Sequence, residues 1–413
     1  MLWLSTPLHK IFFFPRQVLC IALLVAGMQL PMLAQDSIPS TFRRFDVFPA
    51  ISYSPETKLT LGVIGYAYFD WRGGDLATPL SFVEFLAVYT TANQILFENR
   101  AEFFSPHSKW RLRGELLLQR YPDRNYGFGN NAATLVEETE DGATEVVNYL
   151  RFNSDRLRFA PSAMRRIGNR LWVGGLLDME SLFNYKDIPD AYRFLNADSA
   201  AIQDMPVKGF RCGIGPQALF DNRDNQINAR RGCFLLVDAR YNGSWLGSAY
   251  TYNQYNADLR FFRSFWGNQT LAMRTFAALT YGEAPLRGMV RIGGHRAVRG
   301  YFRGTYVDKH MLAFESEYRL PFWRDDAVQH TKLWQVWKRL GLVAFLSGAQ
   351  TFNEDRGPAL DRFNVAAGAG LRILFNPKSR LNIRVDYAVG LSPDSNGPGD
   401  RQNGFYLYLG EAF

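Results

Sequence analysis

Residues 110–119 alternate between two chemistries, and this alternation restricts the folds open to the chain more than any other feature. Trp110, Leu112, Gly114, Leu116 and Leu118 fall on one face of an extended strand, and Arg111, Arg113, Glu115, Leu117 and Gln119 on the other. The segment before it carries Glu98, Arg100 and Glu102 at the same period. Segments of ~10 residues that alternate in this way, separated by turn residues, are the weak per-segment signature of a membrane-spanning barrel. Facing lipid, such charges cost up to ~2–4 kcal/mol each near the bilayer midplane. They are expected to face a polar lumen, where opposite charges on neighbouring strands pair. A soluble sandwich with one wet face also gives alternation, so other features must decide.

The N-terminus decides for export. Lys10 and Arg16 precede an apolar run from Val18 to Leu33, and Met32-Leu33-Ala34 offers a small residue before Gln35. Residues 1–34 read as a secretory signal peptide. A retained anchor is the competing reading, but the run is short and Gln29 and Pro31 interrupt it. Cys20 lies within the run, which argues against a lipoprotein. Beyond the signal, no stretch reaches the ~18–20 apolar residues of a spanning helix, although the chain is 47% hydrophobic and 15% aromatic. Losing Lys10 and Arg16 takes the formal charge from +8 to +6. That excess is scattered, with no basic block to follow a phosphate backbone, so nucleic acid is not an expected partner.

Residues 35–45 form a short polar periplasmic segment, too small for a domain, and 46–413 form a single all-β barrel domain. In lipid every backbone polar group must be paired, and a sheet achieves this only by closing. The pattern predicts strands at 46–54, 58–70, 80–91, 94–104, 109–119, 148–166, 170–184, 207–220, 231–242, 248–265, 269–282, 310–321, 339–352, 362–375, 380–391 and 403–413. This is a transmembrane antiparallel β-barrel of about sixteen strands, an even number as such barrels require. Long loops at 120–147, 185–206 and 283–309 alternate with short turns. Pro321 to Leu340, with Trp334 and Trp337, reads either as an interfacial helix or as a long turn with an aromatic girdle. A turn centred near Gln226 sets Cys212 near Arg240 and Cys233 near Leu219, so no disulfide is expected between them.

Four stretches narrow the class. The first is Val298-Arg299-Gly300-Tyr301, preceded by Gly293-Gly294. The second runs from Phe220 through Asp221, Arg223, Asp224 and Asn225 to Gly232. The third pairs Gly368-Ala369-Gly370-Leu371-Arg372 with Arg384-Val385-Asp386-Tyr387. The fourth begins at Gly404-Phe405 and ends on Phe413. Tyr53-Ser54-Pro55-Glu56-Thr57 adds a first hairpin. Together and in this order they resemble the barrel domain of BamA/TamA-type outer-membrane assembly factors, the bacterial surface antigen superfamily. The resemblance implies that an extracellular loop carrying the Val298–Tyr301 motif inserts into the lumen, its arginine held against the wall. It implies a periplasmic turn at the second stretch. At the fourth it implies a C-terminal strand signal, with Phe413 on the closing strand.

Two departures bear on function. The family places an Asp two residues after a Phe to receive the loop arginine; here Phe345-Leu346-Ser347 puts Ser347 there. A hydroxyl cannot neutralise a guanidinium, so Asp386 or Glu317 is expected to take that role unless the loop is held more loosely. The family's assembly factors also carry periplasmic POTRA domains, and none is read in this chain. A search for catalytic residues finds nothing: His9, His107, His295, His310 and His330 lack partners at nucleophile or metal-ligand spacing. No enzyme, metal or cofactor is expected. Two functions remain. One is an assembly or translocation factor acting on unfolded outer-membrane or secreted clients, with a separate periplasmic receptor protein and outer-membrane lipids as partners. The other is a passive pore or structural barrel that kept the fold and lost the insertase role.

Overall fold

The computed structural model describes residues 45–413 except 55–56, 72–74, 76–77, 121–122, 127, 131–134, 139–143, 148–149, 153–154, 184–191, 195–208, 267–268, 295–296, 323–338, 377–379 and 393–400. The expected signal peptide at 1–34, nearly all of the expected periplasmic segment 35–45, His295, Trp334 and Trp337 therefore lie outside the described residues.

Among the described residues one sheet closes on itself. Its strands are β1 (Phe45–Ser54), β2 (Lys58–Phe69), β3 (Ser81–Thr90), β4 (Ile95–Phe104), β5 (Trp110–Arg120) and β6, in two pieces (Asp155–Phe159 and Ser162–Gly168). They continue with β7 (Leu171–Phe183), β8 (Gly209–Asp221), β9 (Gly232–Asn242), β10 (Tyr252–Ser264) and β11 (Thr270–Gly282). The last five are β12 (His310–Pro321), β13 (Leu340–Phe352), β14 (Asn364–Asn376), β15 (Leu381–Gly390) and β16 (Asn403–Leu409). Each pairs antiparallel with the next, and β16 returns to β1 through Tyr53 and Leu407. The sheet's seventeen segments amount to sixteen strands because both pieces of β6 pair with β5 and β7.

Three sequence expectations need correction. The strand expected at 148–166 is divided. Leu150–Phe152 leaves the barrel to pair with Asp123–Asn125, and the barrel strand breaks at Ala160-Pro161, where proline has no N–H for the ladder. The strand expected at 403–413 stops at Leu409; Gly410 has φ +85° and turns the chain, so Phe413 is not on the closing strand. The β8–β9 register pairs Gln217 with Asp238 and Asp221 with Phe234, which moves the turn's centre past Gln226. Cys212 and Cys233 are therefore offset from the partners expected for them, and both are free thiols.

Side-chain direction follows the two-residue period. On β5, Trp110, Leu112 and Leu118 are exposed on the outer face, while Arg111, Leu117 and Gln119 are buried inside. The interior charges pair across strands as the alternation requires. Arg111 of β5 donates to Glu102 of β4 and is flanked by the rings of Phe104 and Trp172. Asp178 of β7 accepts from Arg158 of β6 and Arg240 of β9, each at 2.8 Å. Burying charge is tolerated here because each group has an opposite partner.

The barrel's two ends differ. One carries the compact turns 105–109, 169–170, 222–231 and 265–269, the connections 70–80 and 322–339, and the end of β16. The other carries the short turns 55–57 and 91–94 and the longest connections, 121–154, 184–208 and 283–309. There Leu135–Glu138 pairs with Thr144–Val147 and with Tyr192–Phe194.

Candidate functional site

The connection between β11 and β12, residues 283–309, leaves from the long-loop end. Val290–Ile292 pairs with Tyr306–Asp308 and gives it a stem. At its tip the Gly293 N–H donates to Ala297 O and the Gly294 N–H to Tyr301 O, both at 2.9 Å. Val298 sits at φ +58°, an outlier for a β-branched residue. Its N–H donates to Glu315 Oε1 at 3.1 Å, a charge-assisted bond that helps hold the strained backbone. The side chains of Val290, Ile292, Val298, Tyr301 and Tyr306 pack on Met311, Ala313, Ala349 and Ala366 of the wall. Apolar burial therefore seats the loop, and polar contacts fix its register. A cavity of about 200 Å³ remains beside it, lined by Arg274, Phe276, Ala297, Met311, Ala313 and Glu315.

Arg299 is the focus of these contacts. Its Nη1 donates to Asp386 Oδ2 of β15 and its Nη2 to Glu317 Oε1 of β12, each at 2.5 Å. The guanidinium lies over the Phe345 ring, 3.7 Å from its centroid, and the side chain is 1% exposed. Arg319 donates to Glu317 at 2.9 Å, Arg372 donates to Asp386 at 2.5 Å, and Arg384 lies 3.9 Å from Asp386. Arg372 also donates through Nε to Glu411 Oε2 at 2.9 Å, and Asn382 donates to Glu411 Oε1 at 2.5 Å. Four guanidinium groups thus face three carboxylates, and an acid separates most pairs of cations.

Gly300 and Tyr301 bind the loop to strands near the barrel's closure. Gly300 has φ +110°, and a Cβ there meets Ala366 Cβ, Gly390 N and Val389 C at 3.0 Å. Only glycine fits both the dihedral and the space. Its N–H donates to the Tyr406 hydroxyl of β16 at 3.2 Å, and the Phe302 N–H donates to Gln402 Oε1 at 2.7 Å. Tyr301 donates its hydroxyl to Val365 O at 2.8 Å and lies against Gly390.

Of the three acceptors considered for Arg299, the structure brings Asp386 and Glu317 to it. Ser347 is buried elsewhere on β13, its hydroxyl donating to Ala366 O at 3.5 Å. The sequence reading missed the parts played by Phe345, Arg319, Arg372, Arg384, Glu411, Gln402 and Tyr406. Strand parity offered a signal for two of them: Arg319 follows Glu317 by two residues and Arg384 precedes Asp386 by two, so each shares its carboxylate's face.

The second motif forms the β8–β9 turn. Asp221 accepts from Arg223 Nε at 2.9 Å, and Arg223 covers the Phe234 ring. Asn225 Oδ1 accepts from Ile227 N at 2.9 Å and Asn228 N at 2.7 Å. Asp224 accepts from Arg230 N at 2.8 Å, Arg231 N at 3.1 Å and Arg380 Nη1 at 2.6 Å, which ties this turn to the β14–β15 turn. Partial burial works to raise the Asp224 carboxyl, but these donors outweigh it and hold its pKa below the usual carboxylate range. Gly232, at φ +108°, starts β9. At the chain's end Gly404 and Phe405 lie on β16, and the Phe405 ring neighbours Tyr53 of β1, 6.2 Å between centroids. Phe413 turns back to pack on Phe262, Ala229 and Ala272. Among the described residues no group of His, Cys, Asp or Glu is arranged to hold a metal.

The profile of the Omp85 superfamily domain matches residues 84–413. The chain belongs to the Omp85 superfamily. Solved structures share its fold. BamA from Haemophilus ducreyi lacking POTRA domains 1–3 aligns at a TM-score of 0.54 and 10% identity, over 94% of this chain and 78% of that one. CdiB from Acinetobacter baumannii aligns at 0.54 and 13% identity, over 90% of this chain and 60% of that one. CdiB from Escherichia coli aligns at 0.54 and 11% identity, over 91% and 64%. The chain thus spans less than two thirds of either CdiB chain. Among curated proteins no sequence matches it.

Proposed function

We propose that this Omp85-superfamily barrel resides in a bacterial outer membrane and assists the assembly, insertion or translocation of client proteins. The observation that carries this reading is the seam. β16 is seven residues long and meets β1 at one register pair, Tyr53 with Leu407, whereas it shares seven pairs with β15. A sheet edge with so little pairing is a template for a strand from another chain. The loop grips the seam strand through Gly300 and Tyr406, so loop seating and seam closure are mechanically linked. The outer location draws support from the signal-like leader, the exposed apolar residues of the outer face and the closure of the sheet. Unfolded clients, a separate periplasmic receptor and outer-membrane lipids are the partners this reading requires. It assigns no catalysis: His310 accepts from Thr280 N and packs between the tilted rings of Tyr281 and Phe352.

A second reading, a structural barrel plugged by its loop, is favoured by the four-arginine cluster, which fixes the loop to β12 and β15. Reconstitution separates the two. Liposomes holding the full chain are given an unfolded barrel client, with and without the Arg299→Ala substitution. Insertion above empty liposomes that the substitution reduces supports the assembly reading. Absence of insertion, even with a periplasmic receptor added, supports the structural one.

A further inference from the structure

Arg231 and Arg263 differ from the arginines of the interior. The β9–β10 ladder pairs Cys233 with Phe261 and Gly232 with Phe262. One step further toward the compact-turn end, the register sets Arg231 against Arg263. Phe261 is 44% exposed and Phe262 is buried, so parity puts Arg263 on the outer face with Phe261 and Phe265. Both arginines are exposed, and among the described residues neither guanidinium has a partner. Like charges directly opposite each other destabilise a strand pair. Among the described residues no carboxylate pairs with either guanidinium, in contrast to Arg223 and Arg260 nearby, which bind Asp221 and Asp258.

A recess of about 380 Å³ lies between them, lined by Arg231, Gly232, Phe261, Phe262, Arg263 and Ser264. Exposed aromatics flank it: Phe265 at 44% and Trp266 at 86%. Aromatic side chains at a barrel rim sit at headgroup depth, and two guanidinium forks match the oxygens of one phosphate.

We propose that Arg231 and Arg263 clamp the phosphate of a single phospholipid headgroup at the compact-turn rim, with its acyl chains lying along Phe261, Leu259 and Val237. The site rests on the membrane reading above. The anion relieves the repulsion between the two cations, and the apolar outer face takes the chains. Val237 and Leu259 are both exposed on that face; Leu259 lies two residues beyond Phe261, and Val237 pairs with Ala257, two residues further along the strand.

The test uses the full chain in detergent, stripped of lipid and then titrated with phosphatidylglycerol, with diacylglycerol of the same chains, or with inorganic phosphate. Retained lipid is counted by native mass spectrometry. The wild type is expected to hold one phosphatidylglycerol about tenfold more tightly than Arg231→Gln/Arg263→Gln, a difference of ~1.4 kcal/mol. It is expected to show no such preference for diacylglycerol and to keep the lipid in millimolar inorganic phosphate. Arg263→Lys, which keeps the charge and loses the fork, is expected to fall between them. Equal retention by folded wild type and double variant overturns the site, as does equal binding of diacylglycerol. Displacement by inorganic phosphate alone would reassign it to a soluble anion. Flotation with liposomes is the control: a wild type that floats without discriminating fails the site only, and one that does not float fails the membrane reading too.

Discussion

Arg372 bridges Asp386 and Glu411, donating from Nη1 to the first at 2.5 Å and from Nε to the second at 2.9 Å. Asp386 is also the acceptor of Arg299. One carboxylate, Asp386, and one guanidinium, Arg372, thus link Arg299 of the loop tip to Glu411 of the turned-in end. Glu411→Gln is expected to weaken the hold on Arg372 and, through Asp386, the seating of the loop. Tryptic cleavage within 283–309 is expected to rise about tenfold, equivalent to ~1.4 kcal/mol of coupling. Unchanged cleavage would disconnect the two ends of the chain.

The charge balance of the cluster predicts an asymmetry between partners. Four guanidinium groups face Glu317, Asp386 and Glu411. Arg299→Ala leaves three of each and removes a loop anchor, a loss on the order of 1–2 kcal/mol. Asp386→Ala leaves four cations with two acids and is expected to cost about 3 kcal/mol or more. Urea unfolding in vesicles measures both. A double-mutant cycle then isolates the pair, and strictly additive losses would rule out direct contact.

Gly300→Ala puts a Cβ at φ +110° and 3.0 Å from Ala366 Cβ. The strain is expected to cost about 1–3 kcal/mol and to unseat the loop without disturbing the outer strands. Proteolysis of the loop should rise while the heat-modifiable mobility of the barrel is retained. Loss of the folded band would show that the loop is needed for the barrel itself.

Asp224 carries a pH dependence. Burial raises its pKa, and the hydrogen bonds from Arg380 and from the Arg230 and Arg231 amides overcome that and depress it. A group whose folded pKa lies below its unfolded value stabilises the fold fully above the unfolded value, about 4, and less as pH falls through the folded one. The stability gap between wild type and Asp224→Asn is therefore expected at pH 7 and to shrink below about pH 4. An equal gap at pH 7 and pH 3 would contradict the assignment.

The strands were legible because a barrel wall imposes a period of two over many residues, and β5 shows that period at both of its ends. The exceptions sit where one residue overrides the pattern: Pro161 interrupts β6 and Gly410 turns the end of β16 inward. Arg299, Gly300 and Tyr301 stood out as a motif, but their surroundings did not. Asp386 lies 87 residues from Arg299 and Tyr406 lies 106 from Gly300, and no local pattern encodes which distant wall residue meets a loop tip. Ser347 was informative by its chemistry: a hydroxyl at that position of β13 directed attention to Asp386 and Glu317, but which of them the loop tip reaches depends on the direction of the loop.

If the β1–β16 seam parts to admit a client strand, locking it must block insertion. Tyr53→Cys and Leu407→Cys, in a background with Cys212 and Cys233 replaced by serine, place two thiols at the one register pair of that seam. Client insertion into liposomes is then measured with the seam oxidised and again after reduction. The disulfide is expected to abolish insertion, and a reductant to restore it. Insertion at the same rate with the seam locked would contradict a parting seam.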